Sequence, residues 1–296
     1  IQIRGSISVD MAHLEQKRKM ISSYFKPHPN PTMRVISLGA GVQSSVMALM
    51  AERGEITPKP DCAVFADTQA EPDEVYTHLE WLSTQLSYPI YQTTAGDLRK
   101  SITEGINIRG TNRDYCVVPF HVKDGFGRRQ CTTQFKIEPI QKKFRELLGV
   151  KKNHKVKPGV ILEQWIGISQ DELQRVKESR DKWLYNRWPL LELGMKRYDC
   201  QNWFAKHYPE KYLPRSACTF CPYKNNNEWR HLRDNDPKGW EDAVAVDKKI
   251  RTTGTDKGRE QFVHRSLKPL DEADLQTMEE KGQLSFLDEC DGMCGM

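Results

Sequence analysis

A chain of 296 residues has room for one α/β unit of ordinary size and a smaller appendage. With 38% hydrophobic and 29% charged residues and a net charge of +5, it reads as a soluble, mildly basic protein suited to anionic ligands. No apolar run reaches membrane-spanning length and no signal-peptide core is present, so a cytoplasmic protein without a membrane partner is expected. Eight cysteines in that compartment argue against a disulfide framework and for metal or redox chemistry.

Residues 1–32 read as an N-terminal arm, a short amphipathic helix followed by a Pro-rich connector. The stretch MRVISLGAGVQSSVMALM at 33–50 organises the rest of the chain. Val35, Ile36 and Leu38 form a strand, Gly39-Ala40-Gly41 breaks it, and Ser44-Ser45 opens a segment of helical spacing ending near Gly54. Strand, small-residue turn and helix start make an anion site, because the backbone approaches closely and the helix dipole adds positive charge. The absence of a Gly-Lys-Ser/Thr ending excludes a Walker loop, and a third glycine is missing for a dinucleotide fingerprint.

Residues 61–67 (DCAVFAD) form a second strand ending in Asp67, with Cys62 as a small core residue, and Pro72 introduces a helix from Asp73 to about Leu86. A third strand is expected at 87–94. Strands alternating with helices imply a parallel sheet with its site at the strand carboxyl ends. Residues 96–130 are polar and rich in Arg and aromatic side chains. They read as a long loop over the active face, suited to a single-stranded nucleic acid or a sulfate-bearing substrate. A basic helix at 142–148 and a strand at 160–168 come next. That strand ends in Gly167-Ile168-Ser169 ahead of a helix carrying Arg175. From 198 to 240 the chain reads as helical, broken at Pro209, Pro214 and the SACTFCPY insert, and the last residues are rich in small side chains.

The run GAGVQS at 39–44 resembles the pyrophosphate loop (PP-loop, SGGxDS) of the adenine-nucleotide alpha-hydrolase superfamily. Gly39 replaces the first serine, and Gln43 replaces the aspartate with a side chain that hydrogen-bonds but carries no charge. VFADTQAEP at 64–72 is similar to the segment that holds the adenosine. The series GIS–DE–R…SR…WPLLE from 167 to 192 resembles the PAPS-reductase branch, which includes the ATP pyrophosphatases of DNA phosphorothioation. The resemblance implies a doubly wound, Rossmann-like parallel sheet over 33–197 and a helical, cysteine-bearing region over 198–296. It implies ATP held by Ser37, Gly39, Ala40, Gly41, Gln43, Ser44, Ser45, Asp67 and Gly167, with Mg²⁺ bridging its phosphate oxygens and Arg175 and Arg180 on the anionic end of the nucleotide.

Cys218-x-x-Cys221 is the one close pair of metal-ligand spacing. By resemblance to adenylyl-sulfate reductases, Cys131 joins it around a [4Fe–4S] cluster. Cys200, or else Cys116, is then the fourth ligand, unless one iron stays open; a structural Zn²⁺ is the alternative. Cys290 and Cys294 near the end match part of the cysteine-bearing tail of PAPS reductases and are candidates to carry a persulfide, or else sit idle. The expected function is ATP-dependent sulfur transfer to DNA or tRNA, with a cysteine desulfurase as sulfur donor and a homodimer as a compatible assembly. Alternatives are tRNA thiolation specifically, reduction of PAPS or adenylyl sulfate, and a non-catalytic, metal-stabilised nucleic-acid-binding module.

Overall fold

The structure, a computed structural model, describes residues 25–104, 118–252, 260–277 and 280–282. Five parallel strands form one sheet: β1 (Met33–Leu38), β2 (Cys62–Asp67), β3 (Ile90–Thr94), β6 (Leu162–Ile166) and β7 (Leu184–Arg187), in the order β3-β2-β1-β6-β7. The chain builds outward from β1 to β3 and then returns to the other side of β1. The order therefore reverses between β1 and β6, the place where open α/β sheets make a crevice at their carboxyl edge.

Period-two alternation divides the strand residues between two apolar layers. Ile36, Leu38, Ala63, Phe65 and Trp165 face one core, packed by α1 (Val42–Glu52), α2 (Asp73–Gln85) and α6 (Arg197–His207). Val35, Cys62, Val64, Ala66 and Leu162 face the other, covered by α4 (Glu138–Leu147) through Ile140 and Phe144. Helices on both faces make the sheet doubly wound, as the sequence led us to expect. Cys62 is the core residue anticipated, its thiol pushed up to about 12 by burial.

Two expectations are corrected. The fifth strand, β7, falls in a stretch read only as a motif. Beside it the RWPLLE run is an internal brace: Arg187 clasps Glu192 at 2.8 Å through two nitrogens and lies over the Trp165 ring at 4.5 Å. The stretch expected as a long loop contributes core instead. Its α3 (Leu98–Thr103) and a hairpin of β4 (His121–Val122) and β5 (Gly125–Phe126) bury Leu98, Ile102, Phe120 and Val122, while Arg109, Arg113 and Tyr115 lie outside the described residues. At the boundary expected at 197, α6 buries Cys200 and Phe204 in the sheet's own core.

A third apolar cluster joins α3 and the Cys-x-x-Cys segment to α7 (Asn226–Asn235) and α8 (Pro237–Thr252) around Phe220, Trp229 and Ile250. The described part of the N-terminal arm packs on the sheet: Phe25 meets Trp188 edge-on at 5.5 Å, and Thr32 N–H donates to the Ile161 carbonyl at 2.7 Å. No described helix is long and apolar enough to cross a membrane.

Candidate nucleotide cleft and cysteine pocket

The turn after β1 is held by its own serine. Gly39 N–H donates to Ser44 Oγ at 3.1 Å, and that hydroxyl lies 3.3 Å from the Gly41 carbonyl. Ala40 takes a left-handed φ of 55°, and Gly41 is the extended N-cap of α1 with no side-chain cap. The first N–H groups of α1 have no intrahelical acceptor, and no acidic residue stands in its first turn to neutralise them. Two other segments press on this helix start. A Cβ at Gly167 would stand 3.0 Å from Ser44 N, and one at Gly41 would stand 3.1 Å from Ser216 N. The chain at Ser216 therefore already requires a glycine at position 41.

These segments floor a cleft of about 660 Å³ at the carboxyl edge of the sheet. Ser37, Gly39, Gly41, Gln43, Ser44, Gly167, Arg175 and Arg180 line it, so most of the sequence-derived candidates come together. Phe65, Ile137, Ile140 and Leu184 supply apolar wall. Sequence reasoning missed Lys136, Lys177, Arg197 and Arg215, which also line the cleft and raise its cations to six against three acids, Glu172, Glu178 and Asp181. Their signal in the sequence was slight, because they come from four separate segments that only the topology gathers.

Gln43 is the hub of the floor. Its carboxamide donates to Glu172 Oε2 at 3.2 Å and to Ser169 Oγ at 3.4 Å, while its Oε1 accepts from Arg197 Nη1 at 3.0 Å. Glu172 is buried and also pairs with Arg175. Burial pushes its carboxyl above the usual carboxylate range, against the pull of Arg175. The carboxylate missing at position 43 therefore stands one side chain away, already engaged.

Three candidates do not reach the cleft. Ser45 is fully buried and pairs with His78 Nε2 at 3.0 Å. Asp67 turns into its own loop, where Oδ1 accepts from Gln69 N–H and from the Tyr76 hydroxyl, both at 2.8 Å. Ala40 is buried below the turn, where its conformation rather than its side chain matters. The next acid along, Glu71, takes a bridging place: it accepts from Lys136 Nζ and from Ser216 Oγ, each at 3.2 Å.

Behind Lys136 lies a second, much smaller cavity of about 30 Å³, lined by Cys131, Cys218 and Cys221 with Arg129, Phe220 and Tyr223. Lys136 lines both cavities. The Cys-x-x-Cys chain turns tightly, Cys221 N–H donating to the Cys218 carbonyl at 3.0 Å, and Thr219 N–H ties it to the Ala70 carbonyl at 2.8 Å. Three thiols at one cavity are the donor type of soft metals. As placed, however, no group of three or more ligating side chains among the described residues converges on a metal position. The cavity has room for about one water, far less than a four-iron cluster needs. The residues thus match a cluster in kind but do not fit one in spacing. Cys200 is excluded as fourth ligand: it is fully buried in the sheet core, apart from the trio, and burial pushes its thiol up to about 12. Cys116, Cys290 and Cys294 lie outside the described residues.

No family model matches the sequence, and no curated protein matches it. Among solved structures, the chain is similar to phosphoadenylyl-sulfate (PAPS) reductase from Candida auris in its phosphate complex. The identity is 14% and the TM-score 0.40, over 72% of this chain and 92% of that one.

Proposed function

We propose that the chain is a PP-loop ATP pyrophosphatase that activates an oxygen of nucleic acid for replacement by sulfur. One observation carries the reading: the cleft where the strand order reverses is floored by a small-residue turn and a helix N-terminus and walled by six cations. A cleft of about 660 Å³ is of nucleotide size. Phosphates belong at 39–44, where backbone N–H groups and the dipole of α1 meet Arg175, Arg197 and Arg215, and the base belongs against Phe65 and Ile140.

The chemistry asks for positioning and charge neutralisation more than for covalent help. The acceptor oxygen attacks the α-phosphorus, the bond to the bridging oxygen breaks, and pyrophosphate leaves. The outer sulfur of a persulfide supplied by a cysteine desulfurase then attacks the atom bearing the adenylated oxygen, and AMP departs. A thiol reductant supplies the two electrons that cleave the resulting S–S bond, leaving the sulfur on the acceptor and the donor sulfur as a disulfide with that thiol. Mg²⁺ accompanies ATP phosphates in such sites. Gln43 offers it no charge and Glu172 is engaged by Arg175, so the floor does not fit a protein-held ion. The protein's part is the arginine wall. Calorimetric titration with ATP tests the reading: binding is expected, weakened about 10- to 150-fold in Arg197→Ala by loss of a charge-assisted contact. Wild-type protein that gives no ATP binding overturns it.

A further inference from the structure

The hairpin of β4 and β5 carries an aromatic that the core does not use. Phe126 is 56% exposed at the end of β5. One face of its ring is backed by Tyr223, at 6.0 Å and an interplanar angle of 26°, and its side by His121 at 4.6 Å. This ledge is rigidly held. His121 exchanges both backbone hydrogen bonds with Phe262 at 2.9 Å, and its Nε2 lies 3.1 Å from the Pro222 carbonyl. The Arg129 guanidinium sits 5.4 Å over the Tyr223 ring. Lys123, Arg128 and Arg129 lie within three residues of Phe126 in the chain, Lys123 and Arg128 exposed and Arg129 half-buried.

We infer that Phe126, stacked on Tyr223 and flanked by Lys123, Arg128 and Arg129, is a base-stacking platform for a single-stranded nucleic acid. A protein partner would call for a contiguous apolar patch, whereas here a single exposed ring sits in a segment that carries three cations and one acid, Asp124. Aromatic faces bind any base and cations follow the phosphates, which is the chemistry of single-strand grooves. The place also suits the proposed activity, on which the inference rests for its choice of ligand. Tyr223 and Arg129 line the cysteine pocket as well, so a strand stacked on Phe126 runs past the three thiols towards Lys136 and the nucleotide cleft.

The test is fluorescence anisotropy with labelled single-stranded oligothymidylate and oligouridylate, alongside ATP titration of the same proteins. Phe126→Ala is expected to weaken single-strand binding about 5- to 150-fold, the range for loss of one stacked base. Phe126→Trp should restore it, and the melting midpoint and ATP affinity should stay at wild-type values. Equal oligonucleotide affinity in wild type and Phe126→Ala overturns the platform and leaves the ATP site standing. Wild-type protein that binds ATP but neither oligonucleotide overturns the platform together with nucleic acid as acceptor. Loss of ATP binding in wild type strikes the cleft reading instead, while the Phe126 comparison still decides the platform.

Discussion

Gly167→Ala tests whether the end of β6 sets the position of the phosphate loop. The added methyl would meet Ser44 N at 3.0 Å, Ser44 Cα at 3.1 Å and the Gln43 carbonyl carbon at 3.3 Å, all main-chain atoms of the first turn of α1. None is the end of a flexible side chain, so the helix start itself must move by a few tenths of an ångström. Overpacking of this kind costs roughly 1–3 kcal/mol. The displaced turn also carries the proposed phosphate donors, so ATP affinity should fall with stability. Gly39→Ala is the matched control: its methyl would stand 3.5 Å from Ser44 Oγ, an ordinary contact, and should cost no more than about 0.5 kcal/mol. Urea unfolding and ATP titration of both variants read the two effects. Gly167→Ala that unfolds like Gly39→Ala and binds ATP like wild type would refute the close packing of β6 against α1.

Ala40→Gly should stabilise the fold by up to about 1 kcal/mol in the same urea assay, because a φ of 55° strains alanine and not glycine. His78 is buried against Ser45 and its pKa is pushed down to about 4 by desolvation, so it stays neutral in the fold. A base whose folded pKa is depressed contributes stability above pH 6.5 that is lost as pH falls towards 4. His78→Gln should therefore flatten the acid limb, removing about 2 kcal/mol of the difference between pH 7 and pH 5; an unchanged pH profile would contradict a buried neutral imidazole. Cys200→Ser should lower stability without altering any bound metal, whereas Cys218→Ser removes whatever iron or zinc an anaerobic preparation contains. Metal loss in Cys200→Ser would return that residue to a ligand set.

The sheet was legible because its strands are short, apolar and bounded by Gly and Pro, and because the turn at 39–41 separates strand from helix. The cleft was legible in its floor, where GAGVQS and Gly167 are local signals. Its wall was not. Arg197 and Arg215 sit in segments of ordinary composition, and only the return of the chain across the sheet brings Arg197 to Gln43 and Arg215 to the cleft. β7 escaped notice because four residues, LYNR, carry too little alternation to mark a strand. Asp67 and Ser45 illustrate the converse. Each stands next to the site in sequence, but a turn hydrogen bond and a half-turn of helix direct them away from it. Only the Cys218–Cys221 pair carried a spacing signal; Cys131, which lines the same cavity, came by resemblance to adenylyl-sulfate reductases, and Cys200, nominated by nearness in sequence, sits in another core.

Pyrophosphate release from ATP, measured with a thiol reductant and with and without single-stranded DNA or RNA and a persulfide-loaded cysteine desulfurase, tests the central claim most directly. Wild-type protein should release pyrophosphate and AMP in step with sulfur incorporated into the nucleic acid, and Arg197→Ala should lose most of that turnover. Sulfite released from PAPS in the presence of a thiol reductant, with no pyrophosphate from ATP under any of these conditions, would contradict it.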